Sequence, residues 1–137
     1  MGRILAIDYG KKRCGLAVSD PLRIIAGPLQ TVETHQLINF LKDYLQKEAV
    51  DEFVIGMPRQ LDNTDSATAP LVRKFIVLLK STFPDKPVHE VDERFTTSIA
   101  QRAMIEGGMK KKDRQQKGTS DKISAVLILQ SFMQAKL

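Results

Sequence analysis

Residues 3–19, Arg3-Ile4-Leu5-Ala6-Ile7-Asp8-Tyr9-Gly10-Lys11-Lys12-Arg13-Cys14-Gly15-Leu16-Ala17-Val18-Ser19, decide the fold. Residues 3–9 form an apolar run closing on an acid, the pattern of a strand buried on both faces, with Asp8 at its exit. Residues 13–19 read as a second strand, close enough behind Gly10-Lys11-Lys12 to be the antiparallel hairpin partner of the first. Residues 24–33 give a third strand. Pro28 brings no N–H to a ladder, so this third strand belongs at the edge of the sheet.

Beyond the meander the period changes. Leu37, Phe40, Leu41, Tyr44 and Leu45 recur at helical spacing and predict an amphipathic helix over about 35–48. Residues 52–56 make a short buried strand, and 57–65 read as loop from their Pro, Asn and Asp content. Leu71, Phe75, Leu78 and Leu79 place a second helix over 66–82, closed by Pro84 and Pro87. Residues 88–92 are the fifth strand. A third helix is expected over 97–106, with Ser98 and Gln101 spaced as a capping box and Gly107-Gly108 ending it. A mobile stretch is expected over 109–118, then a last helix over 120–136 with Ala125, Ile128 and Phe132 on one stripe. Strands one, four and five are separated by helices, so they should run parallel through right-handed crossovers. The two leading antiparallel strands then extend one side. This predicts a single α/β domain over 1–137 with a five-stranded mixed sheet of order 3-2-1-4-5, the order of a ribonuclease H-like sheet. A flavodoxin-like chain would alternate strand and helix from its start.

Composition fits a packed domain with a polyanionic partner. Of 137 residues, 42% are hydrophobic and 27% charged, a globular balance. Lys and Arg number 21 against 16 Asp and Glu, a formal net charge of +5, which suits nucleic acid without requiring it. The single Cys14 has no internal disulfide partner and the N-terminus lacks a signal-peptide pattern, so a cytoplasmic location is expected. No apolar run approaches the roughly 20 residues of a membrane span.

The parallel strands carry their C-terminal ends to one edge, where open α/β proteins bind ligands. Asp8 ends strand one and Glu93 follows strand five at that edge. Asp121 opens the last helix on the stripe of Ala125 and Ile128, while Ser124 and Ala125 are small enough for close approach. Three converging acids repel one another unless a divalent cation neutralises them. Hard oxygen donors without His or Cys nearby suit Mg²⁺ or Mn²⁺ rather than Zn²⁺. Each acid also has a plainer reading: Asp8 as a turn residue, Asp121 as a partner of the helix dipole, Glu93 as the ion-pair partner of Arg94. Lys110, Lys111, Lys112, Arg114 and Lys117 sit in one stretch leading towards Asp121 and are read as steering phosphates, with Lys12 and Arg13 adding to them. Arg94 either holds a phosphate or orients Glu93. Thr96 and Thr97 read as the start of a helix, Cys14 as a small core residue, and His35 and His89 as bystanders.

Four segments carry a family resemblance: Leu5-Ala6-Ile7-Asp8-Tyr9-Gly10 with Lys12-Arg13 and Gly15; Val54-Ile55-Gly56-Met57-Pro58; Asp92-Glu93-Arg94-Phe95-Thr96-Thr97; and Asp121-Lys122-Ile123-Ser124-Ala125. Along essentially its whole length the chain resembles the YqgF/RuvX family of Holliday junction resolvase-like proteins, also described as pre-16S rRNA nucleases. The Asp-Glu-Arg triplet followed some thirty residues later by Asp is the more specific signal, because actin-like and sugar-kinase ATPases also open on Asp-x-Gly. Lys11 stands where the family usually has Thr, Asn63 where Gly is common, and Ser120 where an apolar residue often precedes the last acid. No carboxylate is lost.

The resemblance implies metal-dependent phosphodiester hydrolysis with Asp8, Glu93 and Asp121 as the catalytic and metal-binding acids. It favours RNA over branched DNA, with 5′-end maturation of pre-16S rRNA as the task, ribosomal precursor particles as partners, and a monomer or weak homodimer as the working form. Two rival readings remain open: a symmetric dimer that resolves four-way DNA junctions, and a non-catalytic RNA-binding factor associated with the ribosome.

Overall fold

A computed structural model describes residues 2–58, 68–92 and 119–135, with side chains from Ile123 onward in the last segment. The leading meander forms as β1 (Arg3–Asp8), β2 (Arg13–Ser19) and β3 (Ala26–Glu33). α1 (Leu37–Lys47), β4 (Val50–Met57), α2 (Ala69–Thr82), β5 (Val88–Asp92) and α3 (Thr119–Ala135) follow. The sheet order is β3-β2-β1-β4-β5. β2 pairs antiparallel with both β1 and β3, whereas β1–β4 and β4–β5 are parallel. The expected order and strand directions are thus the observed ones.

Pro28 lies on the edge strand, where the β2–β3 register slips: Leu16 faces Gln30 but Ala17 faces Pro28. Leu29 is left over, so the proline sits at a bulge as well as at an edge.

Several boundaries moved. β3 begins at Ala26, not 24, because Ile24 and Ile25 belong to the preceding turn. β4 starts earlier than expected, taking in Val50 and Asp51, and β1 ends at Asp8. A 3-10 turn, Thr34–Gln36, precedes α1. α2 starts at Ala69 with Pro70 in its first turn, where the missing N–H costs no helical hydrogen bond. Its buried stripe is Val72, Phe75, Ile76 and Leu79, while Leu78, assigned to the core from sequence, is 48% exposed. Phe75 and Leu79 are common to both stripes, so the helix is rotated by about one residue from the expected face. The helix expected over 97–106 and the loop expected over 109–118 lie outside the described residues.

Alternation along the strands divides the core in two. Leu5, Ile7, Cys14, Leu16, Phe53 and Ile55 pack under α1 and α2. Ile4, Ala6, Ala17 and Val54 face the other way, against Ala125, Ile128 and Leu129 of α3. Ala6 and Ala17 are direct cross-strand partners. Together with Ala125 they make a shallow seat that lets α3 lie close to the sheet, as its small residues predict.

Candidate active site

Asp8 is the last residue of β1, opposite Gly15 of β2. Ile4 and Ala6 face α3 and Leu5 and Ile7 face α1 and α2, so alternation turns Asp8 towards α3. Its neighbour Tyr9 packs the other way, its ring centroid 4.8 Å from that of Phe75 on α2. Burial, with a smaller contribution from Cys14, holds the Tyr9 phenol above its ordinary value, so it stays uncharged at neutral pH.

β4 and β5 end at the same edge as β1, with Met57 beside Asp92. α3 runs antiparallel to β1. Its Phe132 ring rests on His89 near the start of β5, at 4.8 Å between centroids, and its last turns lie beside Ala26 at the start of β3. The 17 residues of α3 rise about 25 Å, enough to carry its first turn across the sheet towards the edge where β1 ends. Asp121 belongs to that first turn through its backbone; its side chain lies outside the described residues, as do Glu93 and Arg94. Lys110, Lys111, Lys112, Arg114 and Lys117 also lie outside them. No cluster of three metal-binding side chains occurs among the described residues. Of the three acids, only Asp8 has its side chain among them.

Next to Asp8 the β1–β2 turn is basic and firmly held. Thr34 donates its hydroxyl to the Gly10 carbonyl at 2.7 Å and its backbone N–H to the Lys12 carbonyl at 3.0 Å. A Cβ at Gly10 would collide with the Arg13 carbonyl oxygen, which explains the glycine. Lys11 and Lys12 are exposed, Arg13 is partly buried, and with Gly10 they line an open cleft of about 200 Å³. The structure therefore brings Asp8, Lys12 and Arg13 to one end of the β1–β2 hairpin, and adds Lys11.

A polar cluster at the opposite edge was not foreseen. The largely buried Glu52 accepts from Arg23 Nη1 at 2.7 Å and lies 2.8 Å from His89 Nε2. Arg23 Nη2 also donates to Asp51 at 2.8 Å, and Asp51 accepts from the Gly2 amide. These partners stand 28 to 49 residues apart in sequence, so no local signal announces them. The only hint was a pair of acids opening an apolar strand.

Asp20 and Asp51 both have carboxyl pKa values held below the ordinary range. Backbone N–H donors are the leading cause, Ile25 for Asp20 and Gly2 for Asp51, where Arg23 adds to the effect. Depressed folded-state values give stability that is present above the unfolded pKa of about 3.9 and is lost as pH falls through the folded value. Acid titration of Asp20→Asn should show a shallower fall of unfolding midpoint below about pH 4 than the parent chain.

Residues 2–135 match the family model described as RuvX, Holliday junction resolvase. The chain belongs to the RuvX family. It is 52% identical over 133 residues to a protein of Porphyromonas gingivalis named "Putative pre-16S rRNA nuclease", covering 97% of this chain and 96% of that one. A protein of the same name from Bacteroides thetaiotaomicron is 51% identical over 136 residues, covering 99% of each. In fold the chain resembles Thermus thermophilus RuvC in complex with a Holliday junction substrate, with a TM-score of 0.57, 18% identity, and 99% and 96% of the two chains covered. That likeness confirms the ribonuclease H-like architecture. The RuvX protein is accordingly a nuclease, a hydrolase of phosphodiester bonds. Among its described residues no helix is long and apolar enough to cross a membrane.

Proposed function

We propose that this RuvX protein is a cytoplasmic, single-domain nuclease that trims the 5′ end of pre-16S ribosomal RNA, with Asp8, Glu93 and Asp121 holding Mg²⁺ or Mn²⁺. The position of Asp8 carries this reading: it ends the central parallel strand, on the face that α3 covers. The donor chemistry fits a hard cation. His89 is engaged with Glu52 at the far edge, His35 lies beside Glu33, and Cys14 is buried under α1 and α2. Asp8 is a hard oxygen donor next to the turn that carries Lys11, Lys12 and Arg13.

A divalent cation held there by Asp8, Glu93 and Asp121 would supply Lewis acidity to a water and to the phosphate. The chain supplies the rest. Asp8, Glu93 and Asp121 give the carboxylate oxygens, and α3 is seated on Ala6 and Ala17 so that its first turn approaches β1. Lys12 and Arg13 draw the phosphate backbone to the hairpin end, and Lys110, Lys111, Lys112, Arg114 and Lys117 extend that attraction, while Arg94 acts beside Glu93. Such contacts position a substrate without reading its bases.

RNA is favoured over branched DNA because the curated relatives carry the pre-16S rRNA name across nearly their whole length. Cleavage of ribosomal precursor RNA and of a four-way DNA junction, compared under the same Mg²⁺ concentration, tests the substrate. Preferential cutting of the precursor is expected, and preferential cutting of the junction would reverse the assignment. Replacing Lys110, Lys111, Lys112 and Arg114 by Ala should weaken binding across RNA sequences with little change in turnover at saturation. If all four touch one strand, the slope of log K against log salt flattens by about 2.8. An unchanged slope would return that segment to a solvated loop.

A further inference from the structure

Between the edge strand β3 and α1 opens a cavity of about 460 Å³, whose walls include Gln30, Glu33, Gln36, Asn39, Phe40 and Asp43. Asn39, Phe40 and Asp43 follow Gln36 at helical spacing, so α1 turns a polar stripe with a single ring towards β3. Gln30, Gln36, Asn39 and Asp43 are exposed. The Phe40 ring, half-buried on the core, lies nearly parallel to Tyr44, with 13° between planes and 6.1 Å between centroids. Register ties the cavity to the candidate active site. Thr31, also on its wall, faces Gly15, and Gly15 faces Asp8, so the three share one row across the sheet. Two strand spacings make that roughly 10 Å. Farther along β3, Glu33 faces Arg13, and the next residue, Thr34, holds the Lys12 carbonyl through its N–H. The cavity therefore adjoins the basic turn.

We propose that this cavity receives an unpaired, amino-bearing base of the substrate strand: cytosine, adenine or guanine rather than uracil. The inference rests on the reading of the chain as a nuclease for RNA and adds which base it accepts near the cut. A strand held by Lys11, Lys12 and Arg13 brings a neighbouring base to the mouth of the cavity. Inside, the lining suits a base and not a phosphate, because Glu33 and Asp43 repel an anion. A basic peptide would find those acids but would meet the three cations beside them. Phe40 offers a planar base a ring to stack on. The amides of Gln30, Gln36 and Asn39 both donate and accept along a base edge, whereas the two carboxylates only accept. An exocyclic amino group donates to a carboxylate. Uracil presents a carbonyl oxygen on either side of its single imide N–H, and those oxygens are repelled. The volume falls within the roughly 300–1,000 Å³ of small-molecule sites, so a base with its sugar fits.

Fluorescence anisotropy of the full chain with labelled hexamers of cytidine and of uridine compares two pyrimidines of equal charge, with divalent cations chelated so that nothing is cut. The cytidine hexamer should bind about tenfold more tightly, the scale of one good base-edge contact. Asn39→Ala combined with Asp43→Asn, both at exposed helix positions, should bring the two affinities together. Their ratio cancels any general change in phosphate attraction that follows from removing a charge. The side-chain amide NMR signals of Gln36 and Asn39 should also shift when the cytidine hexamer is added. A deoxycytidine hexamer run alongside separates the two readings. Tighter binding of the deoxy strand would count against RNA as substrate, while a base preference that disappears in the double variant would still uphold the cavity. Equal affinity of the wild-type chain for the two RNA hexamers, or binding of neither, would overturn the proposal. So would a double variant that keeps the preference, or amide signals that answer to a tetralysine peptide and not to the cytidine hexamer.

Discussion

Asp8→Asn is expected to lower cleavage of precursor RNA by at least about 10²-fold, the scale for losing one preorganised electrostatic group. The substitution keeps the shape of the side chain and removes its charge. Asp8 closes a strand in which Ile4, Leu5, Ala6 and Ile7 are buried, and that core is untouched. The unfolding midpoint should hold or rise, because neutralising one acid relieves repulsion within the proposed carboxylate set. Parallel cleavage assays and thermal melts separate the two effects. Normal cleavage by the variant would refute a metal role for Asp8.

Ala125→Leu should have the second largest effect, through packing. Ala125 is fully buried against the sheet among Ala6, Ala17 and Val54. A larger side chain there overpacks the seat, at about 1–3 kcal/mol in stability. It should also lift α3 and with it the first turn that contains Asp121. A displacement on the order of 1 Å at a catalytic group can cost about 10² in rate. The expected signature is a lower midpoint together with a lower kcat. Leu78→Ala, on the exposed side of α2, should stay within about 0.5 kcal/mol and leave cleavage unchanged.

The fold was legible because its signals are local. Apolar runs separated by turn residues marked β1 and β2, Pro28 marked the edge, and helical spacing marked α1 and α3. Direction followed from connection length, since a two-stranded hairpin needs only a short turn and a parallel pair needs a crossover. Errors arose where tertiary packing chose among nearly equal local options. In α2 both Leu78 and Ile76 are apolar, and only the shape of the sheet decides which is buried. Asp51 fell outside the expected strand, since acids are rare in strands; here β4 accommodates it by pairing with Arg23. Ile24 and Ile25 read as strand because β-branched residues favour it, yet the Asp20 carboxylate captures their amides and makes a turn. The acids of the candidate site were legible by type and by strand order. The convergence proposed for them depends on the placement of α3, which the sequence expresses only through small residues at Ser124 and Ala125.

Mn²⁺ binding, followed by titration calorimetry on the intact chain and on Asp8→Asn, Glu93→Gln and Asp121→Asn singly, tests the shared carboxylate centre most directly. Each single substitution should weaken Mn²⁺ binding by at least about tenfold, the effect of roughly 1.4 kcal/mol, because the proposed centre draws on all three side chains. Undiminished Mn²⁺ affinity in any one of the three variants would contradict it.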